Sequence, residues 1–495
     1  MKVLPAAVFL AASLFCACDR IPLGKAPELP RDISQDFSAT KADAERGVAR
    51  SQYNLGVDYR DGLGVAKDEA EAVKWFRKAA DQSHATAQHN LGCCYHDGQG
   101  VAKDLTEAVK WFQKAADQNL AVAQAQLGCA YLFGEGVEKD LAAAAKWFRK
   151  AAEQGDGIAQ GNLGVCYRDG LGVDKDAAEA VKWFRKAAAQ GDKPAEGNLG
   201  FCYRDGLGVE KDAAEAVKWW RKAAQQGDAA SQASLGFATR DGEGVEKNEA
   251  EAVKWFRQAA EQGHATAQDE LGFSYLHGQG VAKDVNEAAK WFRKAADQNL
   301  PVAQNNVGFC YHQGFGVEKN EAEALKWYRQ AAEQGFASAQ YTVGSRYSEG
   351  LGVDKDLTEG IKWLRKAADQ NLAEAQGRLG YCYLVGEGVE KDRAEGAKWT
   401  RKGAEGGDAI AQENLGFCYR DGSGVEKDPA QAAKWFFKAA DQGNADAQFQ
   451  LYVSYRDGAG VMRDPAEAMN WLRKAAAKGS KAAQAALNAP AAPPR

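Results

Sequence analysis

His89, Cys93 and His96 are spaced four and three residues apart, so in a helix they share one side. Cys129 follows Cys93 by 36 residues. Two imidazoles and two thiols suit zinc, and a bound zinc would make the chain a metal-dependent accessory or a hydrolase-like protein. The combination occurs once and nothing nearby orients the imidazoles, so His89, Cys93 and His96 read first as a surface histidine cluster. The chain has no His-Glu-x-x-His, no Cys-x-x-Cys and no phosphate loop ending in Gly-Lys-Ser/Thr. Ser38 and Lys41 stand at the spacing of a serine–lysine nucleophile, but no Lys-Thr-Gly accompanies them. The recurring Gly-x-Gly-Val lacks the strand and third glycine of a dinucleotide fingerprint, so it reads as a turn. No catalytic residue and no cofactor is assigned.

What must position these residues is a repeat. Tryptophans recur every 36 residues from Trp75, Trp111 and Trp147 to Trp471, twelve in all. Leu-Gly keeps the same step from Leu55-Gly56 to Leu415-Gly416, with Val307 and Val343 replacing leucine. Repetition lets 495 residues fold without one large core. The 45% hydrophobic fraction is that of a folded soluble protein, and the net charge of −5 and scattered lysines imply neither nucleic acid nor an acidic membrane surface.

One repeat, Ala85 to Leu120, shows how each folds. Ala87, Gln88, Leu91, Cys94 and Tyr95 line one face of a first helix. Gly98 ends it in the left-handed conformation. Asp104 caps a second helix, with Glu107 completing a capping box, and Asp-x-x-Glu recurs at Asp68/Glu71, Asp176/Glu179 and Asp212/Glu215. Asn248 and Asn320 replace aspartate as caps. Ala108, Trp111, Phe112 and Ala115 form the apolar stripe of the second helix, its aromatics filling the gap between repeats. Proline tests this register: Pro429 and Pro465 directly follow caps, and Pro194 and Pro301 fall in first turns, where proline is tolerated. Cys94, Cys166, Cys202, Cys310, Cys382 and Cys418 share one position. Stacked equivalents stand about 10 Å apart, beyond the roughly 7 Å reach of a disulfide, so they read as small buried apolar residues.

The pattern Ala-x-Ala-Gln-x-x-Leu-Gly-x-x-Tyr-x-x-Gly-x-Gly-Val-x-x-Asp, followed by Ala-x-x-Trp-Phe-x-x-Ala-Ala, resembles the Sel1-like repeat, a relative of the tetratricopeptide repeat. The resemblance spans Ala49 to Ser480. It implies an all-α, right-handed α/α superhelical solenoid of twelve helix pairs, with first helices lining the concave side, and a role as an adaptor in protein complexes. Some Sel1-like proteins carry a disulfide within each repeat, but here the second helices hold no cysteine.

Where the repeats differ, several variable positions share one surface. Relative to Leu91, those of His89, Cys93 and His96 lie about 160°, −160° and 140° around the helix, facing away from the core. The Cys93 position becomes Phe201, Phe237, Phe273 and Phe309 in consecutive repeats, then Tyr381 and Phe417. The His96 position becomes Arg168, Arg204, Arg240 and Arg420, and the Asn90 position keeps Asn162, Asn198 and Asn306. Aromatics there suit a partner's apolar side chains. Asparagine can bond an extended backbone, and arginine can hold carboxylates. By the resemblance these positions face the concave groove where peptides dock. The alternative is that each Phe packs against the next repeat and each Arg pairs with the following Asp.

Met1 to Phe15 reads as a signal peptide, with Lys2 ahead of a thirteen-residue apolar stretch. Phe15-Cys16-Ala17-Cys18-Asp19 resembles a bacterial lipobox with Cys18 lipidated, although Phe15 stands where that family prefers leucine. By the same resemblance Asp19 looks like an inner-membrane retention signal. A plain secretory signal cleaved near Ala17 is the alternative. Free thiols sit awkwardly in an oxidising periplasm unless burial protects them.

The predicted order is a signal peptide over 1–17, a tether and N-terminal capping segment over 18–48, repeats over 49–480, and a capping helix with a Pro-rich tail over 481–495. The expected function is a non-enzymatic scaffold that binds a protein or peptide segment in its groove, exported to the periplasm or cell envelope. It would touch the membrane only through a lipid anchor. The alternatives are the metal-dependent protein above and a cytoplasmic signalling adaptor.

Overall fold

A computed structural model describes residues 36–488. The signal peptide, Cys16, Cys18, most of the tether and the Pro-rich tail lie outside the described residues. All secondary structure among the described residues is helical. Twelve helix pairs, each helix thirteen residues long, run from Ala49–Asp61 to Pro465–Ala477. Phe37–Glu45 precedes them and Lys481–Asn488 follows. The chain forms two compact units that divide between Ala259 and Ala260. No described helix is long and apolar enough to cross a membrane.

The first helix of repeat 2 spans Ala85–Asp97 and the second Leu105–Asp117. They pack closely because Gly92 has no side chain: a Cβ there would stand 2.6 Å from Phe112 Cε1. The fully buried Leu91 sits beside this contact. Gly98 ends the first helix at φ 75°, as expected. Gly100 has a different task. A Cβ on it would stand 2.1 Å from the Glu69 carbonyl oxygen, so this second glycine lets the loop lie against the previous repeat. Gly-x-Gly is therefore one glycine for the turn and one for the neighbour.

Asp104 caps the second helix, its carboxylate accepting from the Glu107 N–H at 2.9 Å. The expected capping box is only half formed. The Asp104 N–H donates to the Tyr95 carbonyl at 2.9 Å, so nothing is left for Glu107 to satisfy, and Glu107 pairs with Lys110 at 3.1 Å. Trp111 packs against Ala72, Phe76 and Ala80 of the preceding second helix, filling the gap between repeats as predicted. The Lys114 ammonium covers its ring at 3.7 Å.

A glutamine ladder holds consecutive repeats. The Gln88 amide donates to the Ala80 carbonyl at 3.1 Å, closing the turn behind it. Its oxygen accepts from Gln118, one second helix later, at 2.7 Å. Gln124 with Gln154, Gln160 with Gln190 and Gln340 with Gln370 repeat the contact at 2.7 to 2.9 Å. Each glutamine–glutamine bond ties the two helices of one repeat, while the bond to the Ala80 carbonyl reaches the preceding repeat, so the ladder fixes a pair to its neighbour as well as satisfying buried amides.

Candidate binding surface on the first helices

Within the first unit, Phe201 lies on Lys193–Asp205 and Phe237 on Ala229–Asp241. Within the second, Phe273, Phe309, Tyr381 and Phe417 hold the same place on their first helices. The helical wheel puts all of them opposite the core, and the structure corrects this. At the same station in repeat 2, His89 and Cys93 are buried, at 4% and 8% exposure. Phe201, Phe237, Phe273, Phe309 and Phe417 are partly buried, and only Tyr381 is exposed, at 38%. The cause is that Phe201, Phe237 and Phe417 lean back onto the second helix of their own repeat. Phe201 meets Trp220 edge-on at 5.5 Å, Phe237 meets Phe256 at 5.1 Å and Phe417 meets Phe436 at 5.2 Å. Phe273 instead contacts His277 at 4.2 Å and Phe309 contacts Phe315 at 5.8 Å. One side of each ring is thus anchored and the rest remains accessible.

The arginines complete the arrangement. Arg204, Arg240 and Arg420 lie over Phe201, Phe237 and Phe417 at 5.1, 5.0 and 4.7 Å. Each forks onto the next residue, as when Arg204 Nε and Nη2 both donate to Asp205 at 2.7 Å. Arg168 does the same with Asp169. These pairs follow the alternative reading for arginine, and their charges are locally balanced. Arg168 also donates through Nη1 to Asn198 Oδ1 at 2.6 Å, bridging two repeats. Arg420 bridges to Gln450 at 3.1 Å.

The asparagines are buried and occupied. Asn162 lies 4.0 Å from the Cys129 sulfur, and Asn306 donates to Asp269 at 2.9 Å. Asn162, Asn198 and Asn306 therefore serve neighbouring repeats, and the expectation that they hold a partner's backbone is corrected. Their position touches the adjacent first helix, which a single-helix projection omits.

The histidine cluster does not converge. His89 Nε2 is 3.7 Å from the Cys93 sulfur, and His89 Nδ1 is 3.2 Å from Asn90 Oδ1. Burial drops the His89 pKa to about 4. Burial also pushes the Cys93 thiol well up, away from the thiolate that zinc requires. His96 turns outward to Asp97 and Glu135, at 2.5 and 3.5 Å. Among the described residues, no group of three or more His, Cys, Asp or Glu could hold a metal ion. Cys94, Cys166, Cys202, Cys310, Cys382 and Cys418 are free and buried. Burial raises their thiols to about 11 or 12, so they behave as small apolar residues.

Sequence reasoning missed three polar sites, each a departure from the repeat pattern. Glu196 replaces a ladder glutamine and is fully buried. Asp269 is buried on the first-helix wall. Arg346 replaces the buried cysteine; it donates to Glu321 at 2.7 Å and stacks on Tyr328 at 4.8 Å. His312 and Lys319 also face Glu321, at 2.9 and 3.3 Å. Burial would raise the Glu321 carboxyl, but the hydrogen bonds from Arg346, His312 and Lys319 outweigh it and hold the pKa at about 2.

The Sel1 repeat family matches twelve times, in consecutive segments from 49–84 to 445–480. Among solved structures, a protective antigen present in uropathogenic Escherichia coli strains, displaying an SLR fold, is similar at 35% identity and a TM-score of 0.74. The match covers 93% of this chain and 99% of that one. A Sel1 repeat protein from Oxalobacter formigenes is 34% identical over 62% of this chain and 88% of its own, with a TM-score of 0.48. No curated protein matches. Twelve contiguous family matches, built on the glycine contacts and glutamine ladder described above, place the chain in the Sel1-repeat family.

Proposed function

We propose that this chain is a non-enzymatic scaffold that holds a protein or peptide segment along the first-helix surfaces of its repeats. A Sel1-repeat solenoid is a protein–protein interaction scaffold. The observation that carries the finer reading is the set of half-anchored rings within each unit. Phe201 and Phe237 in one unit, and Phe273 and Phe309 in the other, keep accessible aromatic surface in consecutive repeats. Aromatic surface fixed on one side loses little entropy on binding, which suits an apolar anchor of a partner.

The scaffold works outside the cytoplasmic membrane, anchored through a lipid on Cys18. The 35% identical relative is a protective antigen, a property that supports display outside the cell, and burial shields the free thiols from an oxidising compartment. Cys18→Ala is expected to move the protein from the membrane pellet to the soluble fraction. An unchanged pellet would remove the lipid anchor from the reading.

The principal test is the Phe237→Asp, Phe273→Asp double variant, compared with the native chain for cross-linked partners and for helical circular dichroism. The expected result is loss of a partner with helicity retained. Equal capture by a folded variant would move recognition to the second helices or the loops.

A further inference from the structure

Two successive repeats of the first unit differ at one polar contact, and the difference leaves a donor open. Arg168 forks onto Asp169 through Nε and Nη2 and gives its third group, Nη1, to the side-chain amide oxygen of Asn198 at 2.6 Å. Arg204 stands 36 residues later and forks onto Asp205 in the same way, at 2.7 Å. The residue matching Asn198 is now Ser234. Its hydroxyl is too short to cross the gap and instead donates to the Ala230 carbonyl of its own helix at 2.9 Å. Arg204 Nη1 has no acceptor. The Arg204 side chain is 27% exposed against 13% for Arg168, and it lies over Phe201 at 5.1 Å and near Trp220 at 6.0 Å.

We propose that Arg204 Nη1 takes a backbone amide carbonyl from an extended segment of the partner, while an apolar side chain of that segment rests on Phe201 and Phe237. This rests on the groove reading above and adds the recognition chemistry. Asn198 shows what the place accepts, because its amide oxygen is chemically a peptide carbonyl. A neutral acceptor fits better than a carboxylate, since Asp205 already balances the guanidinium charge. A donor left unmatched beside an aromatic ring also favours any ligand that supplies an acceptor, because the hydrogen bond forms in a partly desolvated place.

The experiment uses the full chain and a phage-displayed library of linear peptides. A selected peptide is synthesised with a fluorophore and titrated by anisotropy. Ser234→Asn places the protein's own amide against Arg204, as in the preceding repeat, and is expected to weaken binding about tenfold. Ser234→Gly keeps the place open and is expected to bind like the native chain, separating occupation from general disturbance. Arg204→Met is expected to match Ser234→Asn. If Ser234→Asn binds within twofold of native while Phe201→Ala, Phe237→Ala loses the peptide, the carbonyl site is overturned and the groove stands. If neither change affects binding, or no peptide is selected, both readings fail.

Discussion

Glu196 stands where other repeats carry a ladder glutamine, and the exchange removes an amide donor. The Ala188 carbonyl that a glutamine would serve is instead reached by Lys222, at 3.4 Å. Lys222 also pairs with Glu196 Oε1 at 2.7 Å, and Gln226 donates to the other oxygen at 2.6 Å. One lysine thus replaces the lost donor and balances the new charge. It leaves its own tryptophan to do so: Lys222 lies 5.4 Å from Trp219, against 3.7 Å for Lys78 over Trp75. Asp269 has no such compensation. Burial raises its pKa to about 7 despite the bond from Asn306, and Glu270 adds to the rise. Its folded pKa exceeds the unfolded value of about 4. The folded state therefore keeps a proton that the unfolded chain has lost, and stability falls as pH rises from about 4 to about 7. Asp269→Asn removes this dependence. The variant's Tm advantage over the native chain is expected to grow across that window and stay constant above it. A difference that is flat with pH would mean that Asp269 titrates as an ordinary surface carboxyl.

At the scale of the element, most helix pairs are held by a backbone-to-ring contact at their Leu-Gly. In repeat 4, a Cβ on Gly164 would stand 2.6 Å from Phe184, which is itself fully buried. Gly164→Ala is expected to cost about 1–3 kcal/mol in chemical denaturation, the usual range for overpacking. Phe184→Leu removes ring atoms from the clash, so the double variant should be more stable than the sum of the single effects. Simple additivity would mean that the glycine matters for something other than this contact. Proline fits the same elements: Pro429 and Pro465 fall at helix starts behind the caps Asp428 and Asp464.

At the scale of the molecule, the contacts that hold the first unit run between neighbouring helices, as in the Trp111 cluster and the Gln88–Gln118 rung. Stability in such a stack is a sum of nearest-neighbour terms. The Gly164→Ala variant should therefore lose hydrogen-exchange protection in Leu141–Glu153 and Lys193–Asp205 as well as in its own pair. Glu69–Asp81 and Ala85–Asp97 should keep theirs. Uniform loss across all of these helices would show that the unit opens as one cooperative body.

The period of 36, the helix pairs, the caps, the glycine that ends each first helix and the burial of the cysteines at the Cys94 position were all legible in the sequence. They repeat in nearly every copy, and each follows from local backbone chemistry or one-helix periodicity. What lies beyond a single helix was decided only by the tertiary structure. A projection of one helix turned His89, Cys93 and the phenylalanines outward, because it includes neither the second helix they lean on nor the first helix beside them. It could not show that the Asp104 N–H is taken by Tyr95, leaving the capping box half made. Nor could it show that Arg168 is closed by Asn198 while Arg204 stands open. Arg168 and Asn198 are 30 residues apart, and only the stacking of one repeat on the next brings them within bonding distance.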